Sequence, residues 1–144
     1  MLVNRRTVRI EFGDCDPAGI VWYPRYFGFF DGATAGLFEA AGWKKSELPK
    51  AFGCIGFPMV DTRAKFHIPS RYCEDIIIES RVTEWRRSSF DVEHRVFKPT
   101  PDGGEALAIE AWETRVWVGA HPDIPGAIKS RPVPQEVIDR FQHG

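Results

Sequence analysis

Only one stretch of this chain carries a long helical period, and most of the chain beyond it alternates. Between Pro24 and Ala41, the residues Tyr26, Phe30, Ala33, Leu37 and Ala41 recur at helical spacing, with Phe27, Thr34 and Phe38 beside them. Pro24 suits a first helical position, where its missing N–H has no intrahelical partner. Gly42 suits the stop. A shorter helix and loop are expected over Trp43–Gly56. Alternating segments then run over Met59–Ile68, Asp75–Trp85, Ser89–Lys98 and Ala106–Val118. "TPDGGE" at Thr100–Glu105 is a hairpin turn. Before the helix, Val8, Ile10 and Phe12 alternate with Thr7, Arg9 and Glu11, which predicts a first strand over Val3–Phe12.

Strands joined by hairpin-length links pair antiparallel. The order therefore predicts an α+β class: one long helix against one curled, five-stranded antiparallel sheet. A chain of 144 residues suits a single domain over 1–144. The tail from about residue 120, with "HPDIPGAIKSRPVP", lies outside the strand pattern and reads as an extended arm before a last helix over Val133–Phe141. Gly28, Gly32 and Gly36 form a side-chain-free stripe on the long helix, which predicts close approach there, by tight helix–sheet packing or by a ligand. A lone sheet leaves edges to cover, so a homodimer or homotetramer is expected.

A net charge of −1 points to neither nucleic acid nor an anionic membrane as partner. No apolar run approaches the roughly 20 residues of a membrane span. Three widely spaced cysteines, Cys15, Cys54 and Cys73, without a CxxC, read as free thiols of a cytoplasmic protein. No metal-ligand spacing appears. His67 and His94 fall in strand patterns and read as satisfied sheet residues.

The chemistry concentrates at "EFGDCDPAGIVWYPRYFGFFD", Glu11–Asp31, where a strand hands over to the helix through a turn holding Asp14 and Asp16. Pro17 keeps Asp16 out of the helical region. The amides of a helix start attract negative charge and can hold an oxyanion. A carboxylate beside such a site suits attack on a polarised carbonyl, or delivery of water to it. The competing reading makes both aspartates turn and cap residues. Calcium fits poorly, since Ala18 and Arg25 fall on ligand positions. Arg25 instead places a cation beside the turn. Further along, the Arg86–Arg87–Ser88 run lies at a strand junction, where guanidinium groups can grip phosphates or merely guard an edge.

"EFGDCDPAGIVWYPRY" resembles the signature of the hotdog-fold 4-hydroxybenzoyl-CoA thioesterases, and "TEWRRSSF" at Thr83–Phe90 resembles a second segment of that family. The resemblance implies a hotdog fold and hydrolysis of an acyl-CoA thioester to free acid and coenzyme A. It makes Asp16 the catalytic nucleophile or general base, and the Tyr23 backbone N–H the oxyanion donor. Asp31 would meet the hydroxyl of a 4-hydroxybenzoyl ring, with Gly19 and Trp22 also at the substrate. Arg86, Arg87 and Ser88 would bind the nucleotide end of coenzyme A. Aspartate at position 31, where aliphatic thioesterases of the wider group carry glutamate, favours an aryl substrate. An aliphatic acyl-CoA thioesterase and a non-catalytic acyl-CoA binding protein are the alternatives. No cofactor is implied beyond the coenzyme A of the substrate, and the family's sites are shared between subunits.

Overall fold

The computed structural model describes residues 1–144. Strands β1 (Val3–Arg9), β2 (Met59–Phe66), β3 (Asp75–Trp85), β4 (Ser89–Pro99) and β5 (Glu105–Val116) form one antiparallel sheet in the order β1-β3-β4-β5-β2. The long helix α1 (Pro24–Ala40) packs on one face of it. This is the α+β arrangement that the single helical period demanded. No helix is long and apolar enough to cross a membrane.

Alternation decides which side chains reach the helix. Ile76, Ile78, Ser80 and Val82 of β3 point inward, as do Phe90, Val92, His94 and Val96 of β4. From α1, Tyr26, Phe30, Ala33, Leu37 and Phe38 meet them. The core forms two clusters. One gathers Ile10, Tyr26, Phe30, Ile76 and Val96; the other gathers Phe38, Phe57, Phe90, Trp117 and Phe141. Each such side chain contributes roughly 1.5–3 kcal/mol on burial.

The glycine stripe meets β1 through side chains, and closely only at Gly32. A Cβ on Gly32 would lie 2.8 Å from the Arg6 guanidinium, and one on Gly36 would lie 3.5 Å from Asn4 Nδ2. Gly28 faces open space.

Several boundaries differ from the sequence reading. The first strand stops at Arg9, not Phe12: Ile10 still donates to the Glu74 carbonyl (2.8 Å), but Phe12–Asp14 turns into a short 3-10 helix. β2 ends at Phe66 rather than Ile68. The last long strand does not continue to Val118. At Trp117 the N–H donates to Ser88 O (2.8 Å) and the carbonyl accepts from Arg131 (2.9 Å), so the chain leaves its sheet partners. A small separate sheet of β6 (Val118–Ala120) and β7 (Ile128–Ser130) comes next. The segment between α1 and β2 holds the short helix α2 (Leu48–Phe52). The tail is integral to the core. Its helix α3 (Gln135–His143) buries Val137 and Phe141, the latter ring 4.8 Å from Phe38. β1 and β2 are the sheet edges, and Val60 and Phe66 of β2 stay about half exposed.

Candidate active site

The two aspartates of the turn have different surroundings. Asp14 is buried and paired: Oδ2 accepts from the Glu11 N–H (2.8 Å) and Oδ1 from Arg25 Nε (2.8 Å), while its carbonyl accepts from Trp22 (2.9 Å). Arg25 is therefore no free cation beside the turn; Asp14 neutralises it. Asp16 is partly exposed. Its Oδ1 accepts from Ala18 N–H (2.9 Å), an Asx turn, and its Oδ2 has no partner in the chain.

The loop folds back on itself. Cys15 pairs with Val21, Asp16 N–H donates to Ile20 O (3.0 Å), and Gly19 N–H donates to Asp16 O (2.9 Å). Gly19 closes the loop at φ +81°, a conformation glycine takes without strain. This places Asp16 across from Ile20, just before the helix starts. There Tyr23 is already helical, no side chain caps the first turn, and no acidic residue occupies it. The Tyr23 amide has no acceptor within the chain. Trp22 and Tyr23 are largely exposed. A cavity of about 340 Å³ opens beside this helix start, walled by Ile20, Val21, Tyr23, Tyr26, Phe66 and Ile68. Burial holds the Tyr26 hydroxyl above its ordinary range, so it stays protonated. His67 also lines this cavity, with Nε2 3.0 Å from Glu110 Oε2. Arg71 lies alongside, its Nη1 3.5 Å from the Gly19 carbonyl. Arg63 and Lys65 lie instead over Trp112.

Asp31 is two turns further along α1, about 12 Å down the axis from Tyr23 at 1.5 Å per residue. Tyr23, Phe27 and Asp31 succeed one another at four-residue intervals and so run down one side of the helix. Asp31 lines a second cleft, of about 460 Å³, with Ile55, Phe57, Pro58, Met59 and Arg115. It is neither a bare surface residue nor unpaired. Its Oδ1 lies 3.0 Å from Arg115 Nη1, and its side chain is 52% exposed against 4% for the arginine.

Arg115 belongs to a buried polar chain that the sequence reading missed. Its Nε and Nη2 donate to Glu113 Oε1 (2.9 Å) and Oε2 (3.2 Å), and Nη1 donates to the Phe57 carbonyl (3.2 Å). Thr34 also donates to Glu113 Oε1. His94 is wholly buried, with Nε2 3.4 Å from Glu113 and Nδ1 2.7 Å from Ser80 Oγ. Burial alone would raise the Glu113 pKa, but its hydrogen bonds and charge contacts with His94 and Arg115 prevail and lower it to about 2. The signal was present in the sequence. Ile109, Ala111, Glu113 and Arg115 share one parity along β5, so two charges stand on the core face.

Arg86, Arg87 and Ser88 form the β3–β4 turn, where Arg86 N–H donates to Ser89 O (2.8 Å). Arg86 is already engaged: Asp91 takes both its terminal nitrogens (3.0 and 2.5 Å), and Glu84 lies 3.1 Å away. The Arg87 guanidinium is exposed and makes no ion pair or hydrogen bond in the chain. The backbone carbonyls of Arg87 and Ser88 accept from Val133 and Trp117 (2.8 Å each). Trp85 packs on Phe90 and Phe141. The Asp16 loop is tied to the segment leading into the opposite end of β3, through Val21 N–H to Ser70 O (2.9 Å). β3 has 11 residues, so these ends lie about 30 Å apart at roughly 3.3 Å per residue. One chain therefore brings Asp16, Gly19, Trp22 and Tyr23 together but holds Arg86–Ser88 away from them.

Known proteins share this fold. The pattern of the Thioesterase-like superfamily matches residues 10–141. The 4-hydroxybenzoyl-CoA thioesterase of Pseudomonas sp. (strain CBS-3) is 41% identical over 112 residues, 76% of this chain and 78% of that protein. The structure of an Asp→Asn variant of 4-hydroxybenzoyl-CoA thioesterase complexed with 4-hydroxybenzoyl-CoA superposes with a TM-score of 0.90 at 34% identity, covering 98% of this chain and 99% of the other. A gentisyl-coenzyme A thioesterase superposes with a TM-score of 0.79 at 28% identity, covering 97% and 100%. An antiparallel five-stranded sheet around one long helix, an open helix start behind a carboxylate turn, and these matches lead to one conclusion: the chain is a hotdog-fold thioester hydrolase and belongs to the 4-hydroxybenzoyl-CoA thioesterase family.

Proposed function

We propose that this enzyme hydrolyses an aryl-CoA thioester, 4-hydroxybenzoyl-CoA or a close relative, with Asp16 as nucleophile or general base. The observation that carries the reading is the pairing of an unpartnered carboxylate oxygen on Asp16 with an unpartnered amide at Tyr23, across one short loop. The thioester oxygen sits on the Tyr23 N–H, where the helix dipole and a fixed donor favour developing negative charge. Asp16 then attacks the carbonyl carbon, or takes a proton from the water that does. The coenzyme A thiolate leaves, giving the free acid directly when water attacks; when Asp16 attacks it leaves a mixed anhydride on Asp16, which water then hydrolyses to the acid and the free carboxylate. Gly19 and Trp22 bound the approach, and Tyr26 and Phe66 exclude water beside it.

The aryl assignment rests on Asp31. A hydroxybenzoyl group placed with its carbonyl on Tyr23 runs along Phe27 and directs its hydroxyl toward that carboxylate. The relatives named for aryl substrates support this choice over an aliphatic acyl group. The relative complexed with 4-hydroxybenzoyl-CoA carries an Asp→Asn change, which supports an aspartate at the reaction centre.

Arg87, with Ser88, serves the phosphates of coenzyme A held mainly by a second copy of the chain, because β3 separates it from its own Asp16. Arg86 contributes less, being committed to Asp91. The open edge of β2, with Val60 and Phe66, is the surface that a second copy covers. Thiol release from a panel of acyl-CoAs tests the substrate class. Preference for 4-hydroxybenzoyl-CoA over hexanoyl-CoA is expected; the reverse preference supports the aliphatic alternative, and binding without any thiol release supports a binding protein.

A further inference from the structure

We infer that Arg115 is a specificity-determining positioning residue, holding Asp31 as an oriented hydrogen-bond acceptor at the far end of the acyl site. The inference rests on the aryl-CoA reading above and adds the device that makes Asp31 selective.

The geometry leaves Arg115 no freedom. Its fork is pinned on both Glu113 oxygens and on the Phe57 carbonyl, so the guanidinium cannot swing out toward solvent. Glu113 is itself fixed by Thr34 and His94. Helix and strand are thus joined by two rungs: Thr34 to Glu113, and Asp31 to Arg115, three residues apart on α1 and two on β5. Asp31 spends Oδ1 on Arg115, and its Oδ2 has no partner in the chain; the cleft that both residues line also holds Lys45, Ile55, Phe57, Pro58 and Met59.

Charge then explains the selectivity. When an apolar acyl group fills the cleft, it strips water from Asp31. The buried guanidinium behind Oδ1 fixes the orientation of the carboxylate and leaves Oδ2 as its available acceptor. A ring hydroxyl donates to Oδ2 and completes the set. An acyl group without a donor leaves Oδ2 without a hydrogen-bond partner. The ligand class is therefore a flat acyl-CoA bearing a neutral hydrogen-bond donor at its distal end.

The test compares 4-hydroxybenzoyl-CoA with benzoyl-CoA on the purified enzyme, as the ratio of their kcat/KM values. Wild type is expected to favour the hydroxylated substrate. In Arg115→Met the loss should fall about tenfold or more harder on that substrate, mainly through KM, and Arg115→Lys should restore part of the ratio. Removing Arg115 alone leaves Glu113 buried without its partner. If that variant does not fold, Glu113→Gln/Arg115→Met, which removes both charges together, is read in the same way. An unchanged ratio, or equal loss on both substrates, overturns the inference while leaving the aryl reading standing. A wild-type enzyme that does not distinguish the two substrates overturns the role of Asp31 and this inference with it.

Discussion

Arg25 Nε lies 2.8 Å from Asp14 Oδ1, across the turn that also carries Asp16. The pairing divides the work of two neighbouring aspartates. Asp14 is buried and spends both oxygens on the turn itself, whereas Asp16 keeps one oxygen free beside the helix start. Asp14 fits the structural reading of this turn; Asp16 makes a turn bond of its own through Oδ1, and the catalytic role proposed for it falls to the free Oδ2.

Stability measurements should separate the pair. Asp14→Ala removes the acceptor for Glu11 N–H and leaves Arg25 without its partner, at a cost of about 1–3 kcal/mol. Asp16→Asn keeps the side-chain oxygen that accepts from Ala18, and should change stability by less than about 0.5 kcal/mol. Denaturant midpoints of the two variants against wild type check this directly.

The acid limb of stability should depend on Glu113. Its folded-state pKa, about 2, lies below the ordinary 4.5. A depressed carboxylate binds fewer protons folded than unfolded, so its stabilisation is complete above about 4.5 and is lost as pH falls towards and through 2. Thermal melts between pH 5 and pH 2, values chosen to bracket this range, should show a shallower decline in Glu113→Gln than in wild type. A parallel decline in the two proteins would remove Glu113 as the cause.

Arg86 and Arg87 should not behave alike. Asp91 holds the Arg86 side chain and is itself held below its ordinary pKa by that hydrogen bond, while Arg87 is free. Arg87→Ala should raise KM for acyl-CoA by about threefold to tenfold, an effect that shrinks in high salt as charges are screened. Arg86→Ala should raise KM less. Steady-state kinetics at two salt concentrations distinguish them.

The fold was legible wherever local period and burial agreed. Helix α1 and the inward faces of β3 and β4 were readable because apolar residues recur at every third-to-fourth or every second position, with Ser80 and His94 the polar exceptions on the strands. The chain's departures came where distant partners decide. Trp117 continues an apolar strand pattern, yet its backbone bonds go to Ser88 and Arg131, so β5 ends there. The tail looked peripheral by composition, but Val137 and Phe141 find the open side of the Phe38 cluster. At the site, the turn at Asp16 and the helix start at Tyr23 were visible as a local motif. Glu113 and Arg115 were passed over because charged residues on a core face make sense only once Thr34, His94 and Asp31 are known to meet them.

The central claim is that Asp16 performs the chemistry rather than merely shaping the loop. It is tested most directly by measuring binding and single-turnover hydrolysis of 4-hydroxybenzoyl-CoA by Asp16→Asn. The account predicts an affinity within about threefold of wild type and a hydrolysis rate reduced by about 10²–10⁴-fold. Hydrolysis at close to the wild-type rate, with the substrate bound, would contradict it.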